Sequence, residues 1–289
     1  MHLVVTDSGL GGLAVCAGLE RALRRSARER RVRLTYVNAW PEEGRGYNDL
    51  PDPTARARVF DVALSEIDRM APEAVLIACN TLSILYGLTS HSRRGAKPPV
   101  HGIVEAGVSL FADALGREPS GAIVLTGTRT TIESAAHRSR LSSLGVDGSR
   151  IAGVSCHGLA TAIEDAPSSQ ATEAAIASCV ASALRVAPAG EPLFLGLCCT
   201  HYGMVGDRFG AALDGLTGRD TRVLDPNVRL VDELADRFGG GPPDEVSVEV
   251  VSKVSLSDGK REGIAALLDP VSPVTARALR HYVHEPGLF

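Results

Sequence analysis

The chain has 289 residues, of which 44% are apolar and 22% charged, with a net charge of −4. That length suits two ordinary domains, and the composition argues against a disordered, collagen-like or coiled-coil chain. The mild acidity and an aromatic content of 4% argue against a basic nucleic-acid surface or base-stacking platforms, and no long uncharged apolar run offers a membrane span.

The N-terminus, MHLVVTDSG, lacks a basic segment followed by a long apolar one, so the expected location is cytoplasmic. LVVT (3–6) reads as a strand buried on both faces, followed by a glycine-rich turn, Gly9 to Gly12. A helix follows, with Leu13, Cys16, Leu19 and Leu23 on one stripe; the Arg-rich run 21–33 reads as its solvated continuation. RLTYVNA (33–39) is a second strand, 40–53 a loop, and 54–70 an amphipathic helix with Thr54 as its expected cap. AVLIA (74–78) is a third buried strand ending at Cys79. The polar segment 91–99 is the expected domain crossover. A second series follows: VHGIV, helix 106–115, strand AIVLT, helix 130–144, strand IAGVS, helix 170–186 and strand PLFLGL, which runs into Cys198–Cys199. The tail holds RVLD, helix 228–237, a break at 239–243, the alternating stretch VSVEVVSKVSL and a helix near 274–283. Buried strands alternating with helices predict an α/β fold with parallel sheets.

The six cysteines (16, 79, 156, 179, 198 and 199) are too few for a disulfide scaffold in a chain this long, and none forms a C-x-x-C pair. Free thiols or ligands are expected, with Cys16 and Cys179 as core filler. No spacing is convincing as a zinc site, so no metal is expected.

Three segments carry chemistry. VVTDSGLGG ends a strand with Asp7 and Ser8 before glycines and a helix, an arrangement that presents backbone N–H groups to an anion. IACNTLS places Cys79, Asn80 and Thr81 at one sheet edge, where a helix N-terminus would lower a thiol pKa. LGLCCTHYG repeats the layout with Cys199, Thr200 and His201, and a His near a thiol can take part in proton transfer. Each alone also reads as a tight turn or a core Cys with a capping residue. Ligands in open α/β sheets sit at the carboxyl ends of strands, so two such cysteines could face one cleft.

The ordered set TDSGLGGLAV (6–15), ACNT (78–81), GIVEAG (102–107), GTRTTIES (127–134), CHGLATAIE (156–164) and CTHY (199–202) resembles the glutamate racemases of the aspartate/glutamate racemase superfamily. The resemblance implies two α/β domains with parallel sheets facing a shared cleft, one spanning 1–97 plus 207–289 and the other 98–206. It implies a racemase or epimerase without metal or pyridoxal cofactor, acting on glutamate or a related carboxylate-bearing substrate. Cys79 and Cys199 would be the acid/base pair, with Asp7 near the first and Glu164 and His201 attending the second. Asp7, Ser8, Asn80, Thr81, Thr128, Thr131, Thr200 and His201 match substrate-binding positions. Arg45 and Gly46 stand loosely where the family has a Tyr-Gly loop, and Arg45 could recognise an extra anionic group. The expected partner is a small carboxylate substrate, with neither nucleic acid nor membrane, and self-association as a homodimer is a family trait with no interface legible here. The competing readings are a superfamily relative acting on another carboxylate as an isomerase, decarboxylase or lyase, and a degenerate binding protein.

Overall fold

The computed structural model describes residues 1–25, 31–95, 98–241, 243 and 245–289. Parts of the Arg-rich run, of the expected crossover at 91–99 and of the 239–243 break lie outside the described residues.

The protein is α/β with two parallel sheets. The first contains β1 (His2–Asp7), β2 (Arg31–Asn38), β3 (Ala74–Ile77), β4 (Val100–Gly102), β9 (Glu245–Ser252) and β10 (Val283–His284), in the order β10-β9-β2-β1-β3-β4. The second contains β5 (Ala122–Gly127), β6 (Ile151–Ser155), β7 (Leu193–Cys198) and β8 (Thr221–Leu224), in the order β6-β5-β7-β8. In each sheet the chain steps from the first strand to one neighbour and then back to the other side. That reversal opens a crevice at the carboxyl ends of β1 and β3, and again at those of β5 and β7.

The continuous apolar runs are strands buried on both faces. Leu3, Val5, Leu34 and Tyr36 pack into one core with the helices Leu13–Arg25, Pro226–Phe238, Asp258–Leu268 and Pro273–Arg280. Val4, Val75 and Ile77 face the opposite side, against Phe60, Leu64 and Ile67 of the helix Pro53–Arg69. The second sheet is likewise sandwiched between two cores. Met204 and Leu267 pack against one core of each sheet.

Several sequence expectations are corrected. Asp52, not Thr54, caps the Pro53–Arg69 helix, because its carboxylate accepts the Ala55 amide at 2.8 Å and Pro53 occupies the first turn, where a missing N–H costs nothing. The expected helix 130–144 is two pieces, Arg129–Glu133 and Ala136–Ser143, broken where Ala135 takes φ 53°. The alternating tail stretch forms a strand only as far as Ser252, in β9, which pairs along the whole of β2. The four-stranded sheet runs through Leu224, so its last strand lies beyond 98–206. Cys156 and Cys179 are not free thiols: they form a disulfide between the end of β6 and the helix Gln170–Val186. The other four cysteines are free and buried. Among the described residues no helix is long and apolar enough to cross a membrane.

Candidate active site

Four strand ends converge. Cys79 follows β3 and caps the helix Asn80–Tyr86, its sulfur accepting the Leu82 amide at 3.5 Å. Cys199 follows β7 directly and precedes the short helix Thr200–Gly203. Its neighbour Cys198 is fully buried among Ile123, Leu125 and Phe194, so the doublet divides between site and packing.

Asp7 and Ser8, at the end of β1, connect the two cysteine segments. Ser8 Oγ lies 3.2 Å from Cys79 Sγ and 3.4 Å from Asp7 Oδ1. Thr200 Oγ1 donates to Asp7 Oδ2 at 2.7 Å. A chain of polar contacts therefore runs from Cys79 through Ser8 and Asp7 to the residue beside Cys199. The carboxyl ends of the two sheets meet along it.

The glycine turn makes this approach feasible. A Cβ on Gly11 would sit 2.5 Å from Thr200 Oγ1 and 2.7 Å from the His201 amide nitrogen. One on Gly9 would sit 2.8 Å from Glu164 Oε2. The turn does present a backbone N–H to an anion, as expected, but that anion is the protein's own: Leu10 N–H donates to Glu164 Oε2 at 3.0 Å. Tyr36 Oη fixes the turn from below by donating to the Gly9 carbonyl at 2.5 Å.

On the Cys199 side, His201 Nε2 is 2.8 Å from Glu164 Oε2, and His201 Nδ1 is 3.9 Å from Cys199 Sγ. Burial alone would lower the imidazole pKa, but Cys199 and Glu164 outweigh it and raise it well above the ordinary value. Burial would likewise raise Glu164, yet His201, Lys260 and the Leu10 amide bring it down to about 2. The pair is thus an imidazolium against a carboxylate at neutral pH. Both ring nitrogens then carry protons, so Nδ1 offers an N–H toward the Cys199 sulfur.

The Cys79 side differs. Burial and the nearby Asp7 carboxylate push this thiol up, against the pull of Ser8 and the Leu82 amide. The sequence predicts that a helix N-terminus lowers it, but desolvation outweighs that short helix. Burial also raises Asp7.

Thr81 Oγ1 lies 3.4 Å from Thr128 Oγ1 and 3.5 Å from Thr131 Oγ1, and the latter two are 3.0 Å apart. This cluster joins the helix after Cys79 to the turn after β5. Asn80 is buried with neither amide atom hydrogen-bonded, and the buried Tyr47 hydroxyl is likewise without a partner. Arg45 is half exposed against Glu42 at 3.8 Å, and the Gly46 amide is taken by Asp49 Oδ2 at 2.7 Å. Neither hydrogen-bonds to the residues around the cysteines. Among the described residues no group of three or more His, Cys, Asp or Glu side chains is placed to hold a metal ion.

The sequence profile of the Asp/Glu/Hydantoin racemase family matches residues 5–234. The chain belongs to that family. This racemase is 27% identical over 281 residues to a glutamate racemase of Jannaschia sp. (strain CCS1), covering 89% of this chain and 96% of that protein. It is 28% identical over 252 residues to the glutamate racemase of Dinoroseobacter shibae, covering 82% of this chain and 83% of that one. In fold, it is similar to a glutamate racemase isoform of Bacillus anthracis, with TM-score 0.70 at 22% identity over 91% of each chain. It is also similar to the Francisella tularensis glutamate racemase solved in complex with D-glutamate, with TM-score 0.68 at 18% identity, covering 93% of this chain and 94% of that one. The racemase is thus glutamate racemase-like and divergent in sequence.

Proposed function

We propose that this racemase inverts the α-carbon of glutamate, or a close acidic relative, with Cys79 and Cys199 as the two acid/base groups. The observation that carries the reading is the run of contacts from Cys79 through Ser8 and Asp7 to Thr200, the residue beside Cys199. Two strand-end cysteine segments tied to one buried carboxylate suit a substrate held between them. The glutamate racemases similar in sequence or fold, one of them solved with D-glutamate, support the substrate class.

In one direction a thiolate takes the α-proton: the C–H bond breaks, an S–H bond forms, and the electron pair moves into the α-carbon and its carboxylate. The opposite thiol then gives its proton to the other face. One base alone would return the proton to the face it left, so inversion needs both. The two sides start unequally. Cys79, pushed up by burial, rests as a thiol and serves as the proton donor. Cys199 lies with its sulfur 3.9 Å from Nδ1 of the protonated His201 and serves as the base. For the other enantiomer the roles reverse. Asn80, with donor and acceptor both unsatisfied, is assigned to the substrate's polar groups, since buried polar atoms without partners are costly. Thr81, Thr128, Thr131 and Thr200 supply further hydroxyls, and hydrogen bonds to the carboxylate stabilise its growing charge.

Incubation of an L-amino-acid panel in D₂O tests the proposal. Glutamate is expected to acquire α-deuterium and to appear as the D-enantiomer. Absence of exchange with every acidic amino acid contradicts the reading, and loss of carbon dioxide in place of inversion points to a decarboxylase.

A further inference from the structure

A cation from the tail reaches the Glu164–His201 pair. It lies outside residues 5–234, where the family profile matches. The helix Asp258–Leu268 is capped by Ser257, whose side chain accepts the Lys260 amide at 3.4 Å. Ile264, Ala265 and Leu268 anchor this helix in a core of the first sheet, while Leu267 touches a core of each. Gly263 brings the helix close to the chain beyond Asp165, because a Cβ there would stand 3.0 Å from Pro167 Cδ. Lys260 Nζ thereby lies 3.2 Å from Glu164 Oε1 and 2.9 Å from Asp165 Oδ1. The other Glu164 oxygen serves His201 and the Leu10 amide, so both oxygens are held.

We infer that Lys260 is a positioning residue for the Cys199 side of the reaction: it fixes one Glu164 oxygen so that the other stays on His201 Nε2, with Nδ1 toward the sulfur. The inference rests on the two-thiol reading for its catalytic meaning, but the geometry stands apart from it. The charged and titratable groups around the pair are Asp7 from β1, Tyr36 from β2, Cys199, Asp165 from the helix Leu159–Asp165, and Lys260. Lys260 is the one cation among them besides the imidazolium. Removing it leaves the negative groups unopposed, so both Glu164 and His201 bind protons more tightly.

The test compares Lys260→Met and Lys260→Arg in the full chain, with Lys260→Gln as a second neutral variant should the Met protein fold poorly. The His201 ring inflection is followed by ¹⁵N NMR, assigned by its loss in His201→Gln. Neutral variants are expected to move it up the pH axis by roughly 0.5–1 unit, the partial exposure of Lys260 reducing the effect. The kcat/KM profile is expected to move with it, and the Arg variant to keep the wild-type position. A purely structural role lowers the rate without moving either curve. An inflection that stays in place in the neutral variants, or moves as far with Arg, overturns the inference. The NMR titration needs no turnover, so its failure is distinct from failure of the two-thiol reading.

Discussion

At the residue scale, the Glu164–His201 pair sets the clearest expectation. Glu164 is held at about 2 against an ordinary 4.5, so its stabilising contribution is complete above the ordinary value and is lost as pH falls toward 2. His201 is raised above its ordinary 6.5, so its contribution is complete below that value and is lost as pH rises through the folded one. Both are fully present between about 4.5 and 6.5. Glu164→Gln strands a buried imidazolium and should cost about 3–5 kcal/mol near neutral pH, read by urea unfolding. It should also flatten the acid-side dependence; an unchanged acid limb would show that Glu164 is not the group responsible. Gly11→Ala should cost about 1–3 kcal/mol and most of the activity, because its methyl would occupy the space of Thr200 and the His201 backbone. Wild-type turnover in that variant would mean the two strand ends need not approach so closely.

At the element scale, the strands were legible because parallel strands buried on both faces read as continuous apolar runs. LVVT, AVLIA and PLFLGL each fall on a strand that delivers a site segment. Motif order also picks out Asp7, Ser8, Glu164, Thr200 and His201, and the fold sets Ser8 and Thr200 against Asp7 and Glu164 against His201. What stayed hidden were contacts made at long sequence separation. Nothing local marks Lys260 as a partner of Glu164, and nothing marks Cys156 and Cys179 as a pair before the helix Gln170–Val186 is laid on β6. Arg45, set only loosely against the family loop by sequence position, lies half exposed with its side chain toward Glu42. The Cys156–Cys179 disulfide closes a separation of 23 residues, and replacing Cys179 with Ala should lower stability by about 3 kcal/mol. Identical urea midpoints for wild type and variant, both under oxidising conditions, would show that the bond contributes nothing.

At the scale of the whole molecule, two sheets with the same strand reversal present their carboxyl ends to each other, and the tail binds them together. Because Leu267 and Met204 pack against cores of both sheets, calorimetric unfolding should show a single transition with matching calorimetric and van't Hoff enthalpies. Two resolved transitions would mean that the sheets melt independently. The central claim is that two sulfurs work on opposite faces of one substrate. Its most direct measurement follows inversion and α-hydrogen exchange separately, in D₂O, with each pure enantiomer of glutamate and the variants Cys79→Ser and Cys199→Ser. Each variant is expected to lose inversion by about 100- to 10,000-fold while retaining exchange with the enantiomer whose proton faces the surviving thiol, the favoured enantiomer being opposite in the two variants. Inversion within roughly tenfold of wild type in either variant would contradict the account.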